Sequence, residues 1–203
     1  MKERFLSIFK FLLSMLLLPA VIGVTASFWE NLNYVHSAVS AAFGWGIVGY
    51  LILHILLYEP ARVYEAGTKL SEKASGFLFP LFKMAGYCVP IFTLLSFLLY
   101  YLTCLKWPDK DFFPFFAFLA AFTFMMHLVF TVNTLKKKQP GALRENYFFS
   151  IFLIYIVNMI VIAGAFAILA KDFSFPYFWE RFATVSGAIY TASFRQLFVV
   201  EGR

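Results

Sequence analysis

Apolar residues occur in this chain in long blocks, rather than alternating with polar residues as they do in a half-buried strand. A helix needs about 20 mostly apolar residues to cross the hydrocarbon core of a bilayer. Six blocks reach this length, at residues 5–28, 38–58, 84–105, 113–135, 147–170 and 178–200. The pattern predicts an all-α fold: a polytopic integral membrane protein whose bundle of six transmembrane helices forms one domain over residues 1–203.

The sixth block is less apolar than the other five, because Arg181 and Arg195 lie near its ends and many small residues lie between them. Pro140 is followed by glycine and predicts a turn between the fourth and fifth blocks. Pro19 and Pro90 lie inside blocks, where they predict helix kinks.

The longest polar stretch is residues 60–76, which follow the second block. Glu65 and Lys69 form an i,i+4 pair in the favourable order, so this stretch predicts a helix on the cytoplasmic side. It is either a solvated or interfacial extension of the second span or a docking site for a soluble protein partner.

The composition excludes several classes of protein. The chain is 62% hydrophobic, 21% aromatic and 14% charged, which leaves too little polar surface to cover a soluble core. A soluble enzyme, a disordered tail and a nucleic-acid-binding domain are therefore ruled out. The bilayer itself is the first predicted partner, with other membrane subunits or further copies of the chain around the bundle.

The basic residues are distributed asymmetrically between the two sides of the predicted bundle. With the N-terminus inside, 13 of the 17 Lys and Arg residues lie on cytoplasmic segments and 4 on external ones. This positive-inside bias predicts that both termini are cytoplasmic, as in a protein of the bacterial inner membrane. If the sixth block only lies on the external surface, the C-terminus is outside instead. Residues 1–26 also have the pattern of a cleaved signal peptide, which is the alternative to a retained first span.

Polar residues within the spans are the candidate functional residues. Thr123, His127 and Thr131 repeat every four residues and share one face of the fourth helix. Counted from the cytoplasmic boundary at about 1.5 Å per residue, His127 lies about 13 Å deep, Asn158 about 16 Å and Tyr190 about 15 Å. These three are expected to meet near the midplane, either as an interhelical hydrogen-bond cluster or as a solute or proton pathway.

His54 and Arg195 lie nearer the cytoplasmic boundary, each about 7 Å deep. A b-type haem held by His54 and His127 is disfavoured, because the depths of these residues differ by about 6 Å. No metal site and no cofactor are predicted. The chain has no HExxH or GxSxG motif, and its acidic residues all lie in loops or at span ends. The sequence thus favours a protein that is not an enzyme.

Aromatic and small residues have separate predicted roles. Trp29, Trp107 and Trp179 lie at the external ends of spans and predict an interfacial belt, with a mouth for a lipid or aromatic ligand as the alternative. Gly46 and Gly187 each lie in a row of small residues spaced four apart, which predicts close helix contacts.

Three functional hypotheses remain open. The first is a small transporter or permease-like subunit, or an integral subunit of a larger membrane complex, with the cluster of His127, Asn158 and Tyr190 as its pathway. The second is an intramembrane enzyme or redox subunit that acts on a lipid or a quinone through His54, His127 and Arg195. The third is a membrane scaffold that docks a soluble protein through residues 60–76.

Overall fold

The computed structural model of the chain describes residues 2–56, 89–138 and 144–198. In these ranges the regular structure is entirely α-helical, which confirms the predicted all-α class. The six helices are α1 (Lys2–Tyr34), α2 (Ser37–Leu56), α3 (Ile91–Lys106), α4 (Phe113–Lys138), α5 (Arg144–Leu169) and α6 (Phe175–Phe198). The helix predicted at residues 60–76 and the first residues of the third predicted span lie outside the described residues.

Within the described ranges, four helical segments are long and apolar enough to cross a membrane: Phe11–Tyr34, Ser37–Leu56, Phe113–Leu135 and Phe148–Leu169. They suggest a membrane protein. The helix α3 is apolar, but its 16 described residues extend only about 24 Å. The helix α6 has 24 residues and is more polar.

Contacts at two levels fix the relative direction of five packed helix pairs. The helix α1 contacts α6 through Leu16 with Tyr190 and Asn31 with Ser174, and it contacts α5 through Thr25 with Tyr155 and Phe28 with Phe166. The helix α4 contacts α2 through Phe118 with Gly46 and Phe122 with Tyr50, and it contacts α3 through Thr123 with Thr93 and Phe113 with Tyr100. Between α4 and α5, Phe113 contacts Phe166 and Phe124 contacts Tyr155. Among the described helices, each therefore runs opposite to the described helix before it. We call the end of the bundle where α1 begins the lower end, and the other the upper end.

Two helix boundaries differ from the sequence expectation. The helix α1 continues through Tyr34, six residues past the predicted span, because Glu30 and Asn31 in its last turns bind partners on α6 and just before it. Pro90 stands immediately before the first residue of α3 instead of kinking its interior. A proline at a helix start loses nothing, because the first backbone N–H groups have no acceptor within the helix.

Phenylalanine rings fill the upper half of the core. The ring of Phe166 contacts five other rings at centroid distances of 5.2–5.8 Å, and all six side chains are buried. We call this set the upper phenylalanine cluster: Phe28, Phe43, Phe97, Phe113, Phe166 and Phe173. It draws on α1 to α5 and on the segment after α5, so it joins five helices around one apolar centre.

Candidate functional site

The lower half of α4 carries a polar face towards the interior. Thr131 is 1% exposed and His127 9% exposed, and Thr123 above them is half-buried. Spacings of four residues place these side chains on one face of the helix, one turn apart. The Thr123 hydroxyl lies 3.3 Å from that of Thr93 on α3. We call Thr93, Thr123, His127 and Thr131 the lower polar face.

The threonines of the lower polar face differ in their hydrogen bonding. The Thr123 hydroxyl donates within its own helix, 2.8 Å from the Leu119 carbonyl, as threonine commonly does in apolar surroundings. The Thr131 hydroxyl oxygen is buried and has no hydrogen-bond partner among the described residues. An unsatisfied buried hydroxyl costs free energy, so Thr131 is either a small local defect or a group that a ligand satisfies.

Asn158 lies in α5 and is completely buried. Its amide nitrogen donates to the Ile154 carbonyl at 2.8 Å, and its side-chain oxygen has no partner among the described atoms. The antiparallel ring contacts between α4 and α5 place Asn158 at the level of Ala121. It therefore lies about 9 Å above the level of His127, at 1.5 Å per residue.

Tyr190 lies at a different interface from the other two residues of the expected cluster. Its hydroxyl donates to the Leu16 carbonyl of α1, and 38% of the residue is exposed. The helix α6 packs chiefly on α1 and less on α5, whereas His127 belongs to α4. The described contacts thus join Thr93 of α3 to Thr123 of α4, on the same face as His127 and Thr131, and they place Asn158 about 9 Å above His127 and the Tyr190 hydroxyl on α1.

His54 and Arg195 belong to different helices, α2 and α6. The His54 ring stacks on Tyr50 of its own helix at 5.8 Å, and Tyr50 packs against Phe122 of α4. Because α2 and α4 are parallel, this register puts His54 level with α4 residue 126, closer in depth to His127 than the sequence count indicates. Arg195 is exposed near the lower end of α6.

The upper ends of α1 and α6 are held together by a polar contact set that sequence analysis did not single out. Asn31 makes two hydrogen bonds with the backbone of Ser174, one from its amide nitrogen to the carbonyl at 2.6 Å and one from the Ser174 N–H to its oxygen at 3.2 Å. Tyr177 donates to Glu30 at 2.6 Å, and Arg181 pairs with the same carboxylate at 2.7 Å. We call Glu30, Asn31, Ser174, Tyr177 and Arg181 the upper clasp.

The charge of Glu30 in the upper clasp is balanced within the clasp by that of Arg181. The Glu30 carboxylate accepts the Tyr177 hydroxyl hydrogen, and this hydrogen bond raises the pKa of Tyr177 well above its usual range, with a further contribution from Tyr34. The tyrosine is therefore a neutral donor at any physiological pH. A signal for this set was present in the sequence: Glu30 and Asn31 directly follow an apolar block, and Arg181 carries the opposite charge.

An open groove of about 470 Å³ lies on the outer surface between α1 and α2. Its lining residues are Trp29, Ser40, Ala41, Gly44, Trp45, Ile47 and Val48. They belong to the upper part of α1 and to the upper and middle turns of α2, so the groove is separate from the lower polar face, which lies on α3 and α4. The described residues contain no group of three or more His, Cys, Asp or Glu side chains that could hold a metal ion.

Comparison with known proteins identifies no family for this chain: no family model, no curated protein and no solved structure matches it. The features that bear on function are thus the alternating helices, the lower polar face, the upper phenylalanine cluster and the upper clasp.

Proposed function

We propose that the chain is an integral protein of the bacterial inner membrane, with six spans and with its lower end in the cytoplasm. The alternating helix directions support this topology, because they put α1, α3 and α5 in one direction and α2, α4 and α6 in the other. The distribution of Lys and Arg supports the same orientation, since most of these residues fall on the segments assigned to the lower side.

Within that membrane, the proposed role is a small transporter or a transport subunit. The observation that carries this proposal is the lower polar face, where Thr131 is buried without a hydrogen-bond partner among the described residues and His127 is 9% exposed. Polar side chains at membrane depth are costly, and they commonly mark the route of a solute or a proton.

The chemistry of the lower polar face limits the cargo. It offers hydroxyl groups and one imidazole, and it holds no carboxylate or permanently charged group. Such a set suits a proton or a neutral solute that forms hydrogen bonds, rather than a metal cation, which carboxylates would bind better. Imidazole can accept and release a proton near neutral pH, which fits a relay at His127. The upper phenylalanine cluster then forms the barrier on the external side.

Proton flux in proteoliposomes tests the proposal. Vesicles that contain the purified protein and a trapped pH-sensitive dye are exposed to an acid step, and the rate of internal acidification is compared with that of empty vesicles. We expect faster acidification with the natural chain and a return to the empty-vesicle rate with His127→Ala. The matched control is His36→Ala, because His36 is exposed in the connection between α1 and α2.

The same vesicles separate protons from neutral solutes. If the natural chain and His127→Ala acidify at the rate of empty vesicles, a proton relay is excluded. Osmotic swelling in isosmotic solutions of small polyols then measures neutral solute entry, with Thr131→Val as the blocking variant. Transport is refuted if neither assay distinguishes the natural chain from empty vesicles.

A subunit of a larger membrane complex is the second candidate, and the outer face of α6 favours it. The residues exposed there between Ala183 and Ala192 are mostly small or hydroxyl-bearing, in contrast to the exposed leucines of α2 and α3. Small residues on a membrane helix favour close contact with another helix. Native mass spectrometry from mild detergent decides between the candidates: a partner chain or a second copy that Gly187→Leu releases supports the complex.

The two remaining hypotheses have simple tests. An absorption spectrum with a Soret band is required if His54 and His127 hold a haem, and loss of activity on a lipid or quinone with Arg195→Gln is required for the enzyme. For a scaffold, charge reversal at Lys69 must release a soluble protein that co-purifies with the natural chain. This segment lies outside the described residues.

A further inference from the structure

Asn31 and Asn158 are both buried, but their side-chain amides differ in hydrogen bonding. The nitrogen and the oxygen of the Asn31 amide both bond to the backbone of Ser174, outside α1. Asn158 bonds only within its own helix: its amide nitrogen donates to the Ile154 carbonyl, and its side-chain oxygen has no partner among the described atoms. A strong acceptor inside the bundle is therefore open to a donor that does not belong to α5.

The hydrogen bond to Ile154 fixes which way the Asn158 amide is turned. Only the amide nitrogen can donate to a carbonyl, so the side-chain oxygen lies on the other side of the amide, away from that bond. Ile154 and Ile162, one turn below and one turn above Asn158, are both buried, so all three belong to the inner face of α5. An apolar residue at position 158 would avoid the cost of burying this oxygen, so stability alone does not explain the asparagine.

Asn158 lies close in level to the top of the lower polar face. The ring contacts between α4 and α5 put it level with Ala121, only about 3 Å above the level of Thr123. Thr123, His127 and Thr131 follow one another at axial steps of about 6 Å, roughly the span that one bridging water or hydroxyl group covers. Hydrogen-bonding groups thus recur at short axial intervals from Thr131 up to the level of Asn158.

Among the described residues of α4 and α5, no polar side chain continues this series above Asn158. Residues 113–122 of α4 are all apolar, and the buried residues of α5 above this level are Met159, Ile162, Ala163 and Phe166. Asn158 is therefore the uppermost unpaired acceptor on these two helices below the upper phenylalanine cluster. Its level is also close to the middle of the apolar segment Phe113–Leu135, where the substrate sites of membrane transporters commonly lie.

We infer that Asn158 is a cargo-binding residue, whose side-chain oxygen accepts a hydrogen bond from an O–H group beneath the upper phenylalanine cluster. The inference rests on the proposed transport function and adds to it the residue that holds the cargo and the chemistry that it selects. An acceptor selects a donor, so the cargo at this level carries an O–H group. A hydroxyl-bearing neutral solute and the water of a proton relay share that chemistry.

Two substitutions at position 158 test the inference in the proteoliposome assays. Asn158→Leu removes the acceptor and is expected to lower the flux at least about tenfold, because the O–H group then has no partner at this level. Asn158→Asp is expected to retain most of the flux. A buried carboxyl group is neutral, so it can donate to the Ile154 carbonyl as the amide does and keep one oxygen as an acceptor.

The matched control is Asn133→Leu, the same chemical change at an exposed position of α4, and it is expected to transport at the natural rate. The thermal unfolding midpoint of Asn158→Leu should not fall, because the substitution breaks no hydrogen bond to another helix. A lower midpoint together with lost flux in both variants at position 158 would make Asn158 a structural residue and overturn the inference.

Solid-state NMR in lipid bilayers observes Asn158 without any need for transport. The chain is labelled with ¹³C at the asparagine side-chain carbonyls, and the signal that Asn158→Leu removes is assigned to Asn158. If the cargo is a proton, magnetisation from water should reach this carbonyl as fast as it reaches that of Asn33, which is exposed. If the cargo is a neutral solute, added glycerol should shift the Asn158 signal and leave that of Asn33 in place.

The outcomes separate the site from the proposed function. Contact of Asn158 with water or glycerol, in a chain that transports neither protons nor polyols, supports the site and refutes transport. Transport that persists in Asn158→Leu supports the function and overturns the inference. The inference is also overturned if water does not reach the Asn158 carbonyl and glycerol does not shift its signal, whatever the vesicles show.

Discussion

The upper and lower halves of the core share helices but differ in the side chains that these helices turn inwards. In the upper half, α4 and α5 contribute Phe113 and Phe166 to a cluster of rings that leaves no polar side chain among its members. In the lower half, α4 turns His127 and Thr131 inwards instead. One helix can therefore provide both a packed apolar region and a polar one, because positions spaced alternately four and three residues apart stay on the same face over many turns.

This difference separates stability from function. Each ring in the upper phenylalanine cluster gains packing contacts, most of them with favourable edge-to-face geometry, so these rings contribute directly to the stability of the bundle. The lower polar face buries groups whose removal from water or from a hydrogen-bonding environment is costly, and one of them finds no partner among the described residues. Substitutions in the upper half should thus reduce stability, and those in the lower half should alter function.

The largest loss of stability is expected for Phe166→Ala. The substitution removes the ring that five others contact, and large-to-small changes at such buried sites cost about 3–5 kcal/mol. Thermal unfolding in detergent, followed by size-exclusion chromatography of heated samples, should show a markedly lower midpoint. Phe115→Ala is the control, because Phe115 lies on α4 with 61% of its surface exposed. Equal midpoints for the two variants would contradict the central role of the cluster.

The second largest loss of stability is expected for Gly46→Leu, at the contact between α2 and α4. A Cβ at this position would lie 2.3 Å from the Phe118 carbonyl oxygen, so any larger residue forces the two helices apart. Overpacking of this kind typically costs about 1–3 kcal/mol. Gly164→Leu on α5 is the matched control, since a Cβ there meets no atom within 4 Å. Thermal unfolding should show a lower midpoint for Gly46→Leu than for Gly164→Leu. Similar losses of stability in the two variants would argue against the register in which α2 packs on α4.

Asn31→Ala tests the buried amide that joins the upper end of α1 to the segment before α6. It removes two hydrogen bonds to the Ser174 backbone, of which the carbonyl still accepts the Phe178 N–H while the Ser174 N–H loses its side-chain acceptor, for a loss of about 1–3 kcal/mol. Asn33→Ala is the control, because Asn33 is exposed two residues further along α1. A stability that does not change with Asn31→Ala would show that the upper clasp is not needed to hold α6.

The smallest stability effect is expected for Thr131→Val, which replaces a hydroxyl without a partner among the described residues by a methyl group of similar size. Stability should stay within about 0.5 kcal/mol of the natural chain or rise, because no hydrogen bond is lost. Transport in proteoliposomes should fall nevertheless. A clear loss of stability would mean that the hydroxyl is satisfied in the native protein and that Thr131 is a structural residue.

The sequence predicted the helices well because their signal is local. Blocks of about 20 apolar residues identify helices by composition alone, and the all-α class follows from them. The face shared by Thr123, His127 and Thr131 was also predictable, since it depends only on the helical repeat. The rows of small residues were less informative: Gly46 packs against α4, whereas nothing approaches Gly187.

What the sequence did not determine is which helices are neighbours and at which level. Depth counted from a boundary gave His127, Asn158 and Tyr190 similar positions, but the ring contacts put Asn158 level with Ala121, and the Tyr190 hydroxyl binds α1. Thr93 joined the lower polar face only through the packing of α3 on α4. Such pairings depend on side-chain packing between distant segments, which the periodicity of one segment does not encode.

The central claim is that this bundle crosses a bilayer with its lower polar face towards the cytoplasm, and thiol labelling tests it most directly. Single cysteines are placed at Asp109 and Asp172 for the upper end and at Gly141, in the connection between α4 and α5, for the lower end. A membrane-impermeant maleimide added to intact bacterial cells should label the first two and reach the third only after lysis. Labelling of the cysteine at position 141 in intact cells, with both upper positions protected, would contradict the claim.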